Sequence, residues 1–203
     1  MPTFTKQELS FLKKLNTPAK VQSYLNSIPI NFEKDGVDTL KSPLFVVRQN
    51  SAHCLEGAML GAYILSLHGH KPLLLHLETE NDFDHVIVPF KENNYWGALS
   101  KTNHAVLRYR EPVYKNLREL VMSYFHEYFT DDGRKTLRRY SHPLNLDSFE
   151  DGWERAEGDL WGVDNALDEI RHYDLISKTQ QKKLNLADPV EREAGKIVEW
   201  KKV

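Results

Sequence analysis

The stretch "RQNSAHCLEGAMLGAYILSLHGHKPLLL", Arg48 to Leu75, holds the only cysteine of the chain, Cys54. Leu55, Ala58, Met59, Ala62 and Leu65 recur at steps of three and four, the spacing that gathers apolar side chains on one helical face. With Ser51 placed to cap the start and Gly69 to end it, this predicts a buried helix over residues 51–67 with Cys54 in its first turn. A thiol at that position meets unpaired N–H groups and the positive end of the helix dipole, both of which favour the thiolate. The bland alternative is core filling, because free cysteine is among the most often buried residue types. The surrounding chain has to decide.

Downstream, "LLLHL" after Pro72 has strand character, and "DHVIVPF" (84–90) is a clearer strand, rich in β-branched residues. "ENNYWGALS" (92–100) reads as a turn at Asn93-Asn94 followed by another strand, giving an antiparallel hairpin. Pro112 is placed to open a helix over 112–129, because Val113, Leu117, Leu120, Val121, Tyr124, Phe125 and Tyr128 repeat at three and four. Upstream, residues 5–27 read as two short helical pieces split by Pro18, and a less regular stretch with Asp35-Gly36 and Ser42-Pro43 follows. Beyond Gly133 the pattern weakens to "RKTLRRYSHPLNL", two tryptophans at 153 and 161, and a short helix near 164–176; residues 178–203 are charged and weakly patterned. The expected organisation is a core over 1–145 and a mostly helical or irregular C-terminal extension over 146–203. The fold class is α+β, with an antiparallel sheet packed against the Cys-bearing helix.

A chain of 203 residues with 40% hydrophobic content buries one sizeable core. Its net charge of -2 supplies no sequence-independent pull toward nucleic acid or an anionic membrane, so neither is expected as a partner. The first thirty residues interleave Lys6, Glu8, Lys13, Lys14 and Lys20 with single apolar positions, unlike a signal peptide, and no apolar run approaches membrane-spanning length. A lone thiol fits a reducing compartment, and the expected location is cytoplasmic.

For Cys54 to act as a nucleophile it needs a base within hydrogen-bond reach and a group to orient that base. His85 begins the strand that follows the helix, and antiparallel packing brings its ring toward the helix start. The orienting candidates, Ser100 and Asn103, lie fifteen and eighteen residues further on, a distance a short hairpin closes. Asp82 and Asp84, just before His85, are alternative sources of charge.

Order and spacing now suggest a family. A helix-borne Cys in "CLEGAMLGAYILSLHGHKP", a His in "DFDHVIVPF" and a Trp-bearing strand "YWGALS" resemble the transglutaminase-like branch of the papain-like cysteine hydrolases, over about residues 45–104. The resemblance implies a papain-like core and acyl transfer on an amide bond through a thioester: peptidase, amidase, deamidase or transamidase chemistry on a peptide, protein or small amide. It implies Cys54 as nucleophile, His85 as base, Ser100 or Asn103 as orienting group, and Gln49 with the Cys54 N–H as oxyanion donors. Where the family pattern supplies Asp after the Trp, this chain reads Ser100, and the nearest residue of the orienting kind is Asn103, which carries no charge. That departure also admits a scaffold without turnover that serves as a binding or structural protein.

No cofactor is implied, because a nucleophile, a base and a donor pair suffice. His68, His70 and His76, with His53 nearby, do not follow a metal-ligand spacing, and "FHEYF" (125–129) lacks the second histidine of a zinc-protease helix because position 130 is Thr. No metal is expected. Arg108, Arg110, Arg134, Arg138 and Arg139 either gather on an anion or pair locally with Glu and Asp.

Overall fold

The computed structural model describes residues 2–33, 36–149 and 151–201; Asp35 of the expected Asp35-Gly36 turn lies outside them. Among the described residues the chain is α+β, with seven strands in one antiparallel sheet and eight helices around it. None of those helices is long and apolar enough to cross a membrane.

Local sequence explains the first elements. Helix α1 (Lys6–Lys14) opens on a reciprocal cap in which the Glu8 N–H donates to Thr5 Oγ1 at 3.1 Å and the Thr5 N–H donates to Glu8 at 2.6 Å. Pro18 does not merely interrupt: capped by Thr17, it is the first residue of α2 (Pro18–Ser27), where its missing N–H costs nothing. Helix α3 (Pro43–Gln49) ends on Asn50 in the left-handed region. Then Ala52 pairs with Ile30 in a parallel bridge, which keeps the backbone extended through His53. Helix α4 (Cys54–Ser66) therefore starts at Cys54 rather than at the expected residue 51, and Ser51 instead accepts from Lys41 Nζ at 2.9 Å.

The sheet runs β4-β3-β2-β1-β5-β7, from β1 (Leu73–Thr79), β2 (His85–Glu92), β3 (Tyr95–Ser100), β4 (Arg110–Tyr114), β5 (Leu137–Ser141) and β7 (His172–Asp174); β6 (Leu144–Asn145) pairs with β1. Asn93 and Asn94 both take positive φ and make the tight β2–β3 turn that their sequence predicts. Alternation along the strands fills two cores. Leu74, Val86, Val88 and Leu99 pack with Leu55, Met59 and Leu60 of α4, while Leu75, Leu77, Ile87 and Ala98 pack with Leu120, Tyr124, Phe125 and Tyr128 on the opposite face. Each large side chain so buried contributes roughly 1.5–3 kcal/mol. Helix α4 crosses β1, β2 and β3 closely: a Cβ on Gly57 would lie 2.5 Å from Lys101 Cβ, which explains glycine at that turn of the helix.

The long helix expected over 112–129 does not form. Pro112 and Val113 belong to β4, an edge strand on β3 where a missing N–H is tolerated; Asn116 then caps the short α5 (Leu117–Met122), and a 3-10 turn follows at Phe125–Glu127. Similarly, the helix expected near 164–176 is α6 (Trp161–Glu169), and the chain then becomes β7 at the far edge of the sheet. Val163 and Leu167 of α6 enter the core that α4 also fills. After α7 (Lys178–Gln181) and α8 (Pro189–Gly195), the last described residues run back along residues 103–105, with the Ala105 N–H donating to Ile197 O and the Glu199 N–H to Asn103 O.

Candidate active site

Cys54, His53 and His85 line one cavity of about 890 Å³, open to solvent, with Tyr128 and Leu107 on its wall and Arg192 and Lys196 from the C-terminal segment opposite. Phe83, 90% exposed, lines it too. Cys54 is half-buried at the first position of α4, where the helix leaves N–H groups without intrahelical acceptors. Burial alone would raise its thiol, but hydrogen bonds from His53 and then His85, reinforced by the charges on both rings, hold it down at about 6. A thiol held there is a thiolate at neutral pH.

His85 is 6% exposed, and its Nε2 lies 2.8 Å from Ser100 Oγ. The Ser100 hydroxyl has one proton and donates it to the Leu107 carbonyl, so toward His85 it acts as acceptor. Nε2 therefore carries hydrogen, and Nδ1 is the nitrogen left for the thiol. The side chain that orients the His85 ring is thus Ser100. Its own backbone is clamped by Gln22 of α2, which accepts from the Ser100 N–H at 2.9 Å and donates to the Ser100 carbonyl at 2.8 Å. Leu107 holds a left-handed backbone, φ 59°, and its N–H donates to Glu127 at 2.7 Å, while Glu127 also takes Arg110 at 2.6 Å. Backbone held in a sparsely populated region is maintained only where surrounding contacts over-determine it. Here those contacts aim one carbonyl at Ser100.

His53, adjacent to Cys54, has support of a different kind. Its Nε2 donates to the Thr39 carbonyl at 2.8 Å, and Glu56, fully buried, lies 3.7 Å from the same nitrogen. Glu56 accepts from the Thr39 hydroxyl at 2.9 Å, the Lys41 N–H at 3.0 Å, the His53 N–H at 3.0 Å and Asn31 at 3.1 Å, and sits 3.6 Å from Lys41 Nζ. Burial would lower His53; its bond to Cys54, the charges of Glu56 and the thiolate, and the bond to Thr39 raise it instead to about 9. The site is a thiolate between two imidazoles, one backed by a buried carboxylate and the other by a hydroxyl.

Three of the residues named from sequence, Cys54, His85 and Ser100, come together. Asn103 lines the cavity, but its side chain donates to Trp200 O at 2.9 Å and accepts from the Trp200 N–H at 2.8 Å, which ties down the C-terminal segment instead of orienting His85. Gln49 sits exposed at the end of α3 and is not among the cavity residues, so the expected oxyanion role does not fit its position. Asp82 accepts from the Thr136 hydroxyl at 2.7 Å; Asp84 accepts from the Thr79 N–H at 2.7 Å and lies 3.2 Å from His76 Nε2. Sequence reading missed His53 and Glu56 as a pair, although adjacency to Cys54 and the spacing of three from His53 to Glu56 were visible signals.

Among the described residues, no group of three His, Cys, Asp or Glu is placed to hold a metal ion. Each of the five arginines has a carboxylate: Arg108 with Glu199, Arg110 with Glu127, Arg134 with Asp132, Arg138 with Glu80, and Arg139 with Glu78. Each of the five thus has its own carboxylate partner, and of these pairs only Arg134–Asp132 is local in sequence. No family model matches the chain and no curated protein is significantly similar to it, so the reading of this site rests on its own geometry.

Proposed function

We propose that this chain performs thiol-dependent acyl transfer on an amide or related acyl group, on a core of the transglutaminase-like, papain-like kind. The observation that carries the reading is the His85–Ser100–Leu107 chain, because it fixes which ring nitrogen faces the nucleophile. In the proposed cycle the proton given up by Cys54 already resides on His85, and the thiolate adds to the acyl carbonyl. His85 then gives that proton to the leaving amine, leaving a thioester on Cys54. Water, or an amine in transamidation, attacks next; His85 takes its proton and the thiolate departs. His53, held cationic by its bond to Cys54 and by Glu56, stays protonated and stabilises the thiolate, while His85, whose partner carries no charge, exchanges the proton.

A second reading, a binding scaffold without turnover, is favoured by one observation: the orienting group of His85 is a hydroxyl, which stabilises an imidazolium less than a carboxylate does. Alkylation of the native protein by iodoacetamide from pH 4 to 10 tests the nucleophile cleanly, because the chain has one thiol. The acyl-transfer reading expects a rate with a midpoint near pH 6 and a plateau above it. A thiol that reacts only after unfolding, or titrates near the free-cysteine value of about 8.5, overturns it.

A further inference from the structure

Tyr128 is 3% exposed, packed in the core on the sheet face opposite α4, yet its hydroxyl has no hydrogen-bond partner among the described residues. Leaving a buried hydroxyl unsatisfied is costly, so a fold that retains one calls for an explanation. The residue lines the same cavity as Cys54, His53 and His85. Burial, then the charges of Cys54, Asp84 and Asp82, push this phenol far above its ordinary value, so it is protonated and able to donate throughout the working pH range. The backbone beside it is fixed by the Thr136 N–H, which donates to Tyr128 O at 3.1 Å. Cysteine acyl transfer needs donors aimed at the oxygen that becomes negative when the thiolate adds, and Gln49, the side chain expected to supply one, is exposed elsewhere.

We propose that the Tyr128 hydroxyl is a catalytic group, the side-chain donor of the oxyanion hole, acting with the backbone N–H of Cys54. The proposal rests on the acyl-transfer reading above and adds a specific residue to it. On addition of the thiolate, the carbonyl π electrons move onto oxygen, and the unpaired O–H donates to that charge. When the tetrahedral species collapses, the electrons return and the leaving group departs.

The test compares two reactions of the same thiol in the full chain and in Tyr128→Phe. With p-nitrophenyl acetate the thiolate adds to a carbonyl, passes through an oxyanion and expels p-nitrophenolate; with iodoacetamide it displaces iodide at a saturated carbon, and no oxyanion forms. Removing one oxyanion donor is expected to slow acylation by about a hundredfold or more, leave alkylation within about twofold, and leave the melting temperature unchanged or higher. Equal acylation by Tyr128→Phe and the parent overturns the proposal while the acyl-transfer reading stands. Parallel loss of both rates, or a lowered melting temperature with both, assigns the hydroxyl to structure and likewise overturns it. If the native parent acylates no faster than its own urea-unfolded chain, acyl transfer itself fails, and the Tyr128 role fails with it.

Discussion

Replacing His53 with Gln removes the first hydrogen bond and one of the two charges that hold the Cys54 thiol at about 6, and leaves burial and His85 in place. Loss of an adjacent charge and its hydrogen bond is worth one to three pKa units, so about two is the working figure. At pH 6 the thiolate fraction then falls from about one half to about one hundredth, a fiftyfold loss. Against this, the less acidic thiol gives a more nucleophilic thiolate: a Brønsted slope of about 0.4–0.5 over two units returns a factor of about six to ten. Alkylation of His53→Gln by iodoacetamide should therefore be about five to eight times slower than the parent at pH 6, and about six to ten times faster at pH 10. The two pH profiles cross. Profiles that superimpose, with a common midpoint near pH 6, would refute the claim that His53 and Glu56 hold the charge opposite the thiolate.

Ser100→Ala removes the acceptor for His85 and the donor to the Leu107 carbonyl; acyl turnover should fall about 10- to 100-fold and stability by about 1 kcal/mol, read by steady-state kinetics and urea unfolding, with the alkylation midpoint little moved. Asp84→Asn tests the pair with His76. Burial would raise Asp84, but its bonds from His76 and Thr79 lower it; burial would lower His76, but Asp84 raises it. The Asp84 contribution is present above its unfolded value and lost as pH falls through its depressed one, and the His76 contribution is present below about 6.5 and lost as pH rises through its raised one. The stability difference between parent and Asp84→Asn should thus be largest between about pH 4 and 6.5, on the order of 1 kcal/mol because Asp84 is partly exposed, and a difference flat with pH would contradict this. Gly57→Ala puts a methyl 2.5 Å from Lys101 Cβ and should destabilise by about 1–3 kcal/mol in thermal unfolding.

Helix α4 was legible because its apolar residues keep one spacing for three turns, and the β2–β3 hairpin because Asn93-Asn94 meets the positive φ that a tight turn demands. The 112–129 helix was misread for a related reason. Tyr124, Phe125 and Tyr128 do face one core, but they reach it from a 3-10 turn and the residues beside it, and Val113, 63% exposed, is an edge-strand residue. Local periodicity carries no information about which segment pairs with the open edge of β3. At the site, Cys54, His85 and Ser100 were readable from residue type and order. Tyr128, Glu127 and the left-handed Leu107 were not, because their roles arise from contacts between segments distant in sequence and from one backbone angle. Asn103 has the residue type of an orienting group, but the C-terminal segment at Trp200 occupies both ends of its amide.

Turnover at Cys54 is read from the time course of intact mass after the native protein meets an activated acyl ester at pH 7, beside Cys54→Ala. One acyl group should add to the parent and none to the variant, followed by its loss to water or to an added amine within the experiment. No adduct on the native chain, or an adduct on Cys54 that never discharges, would contradict turnover at this site.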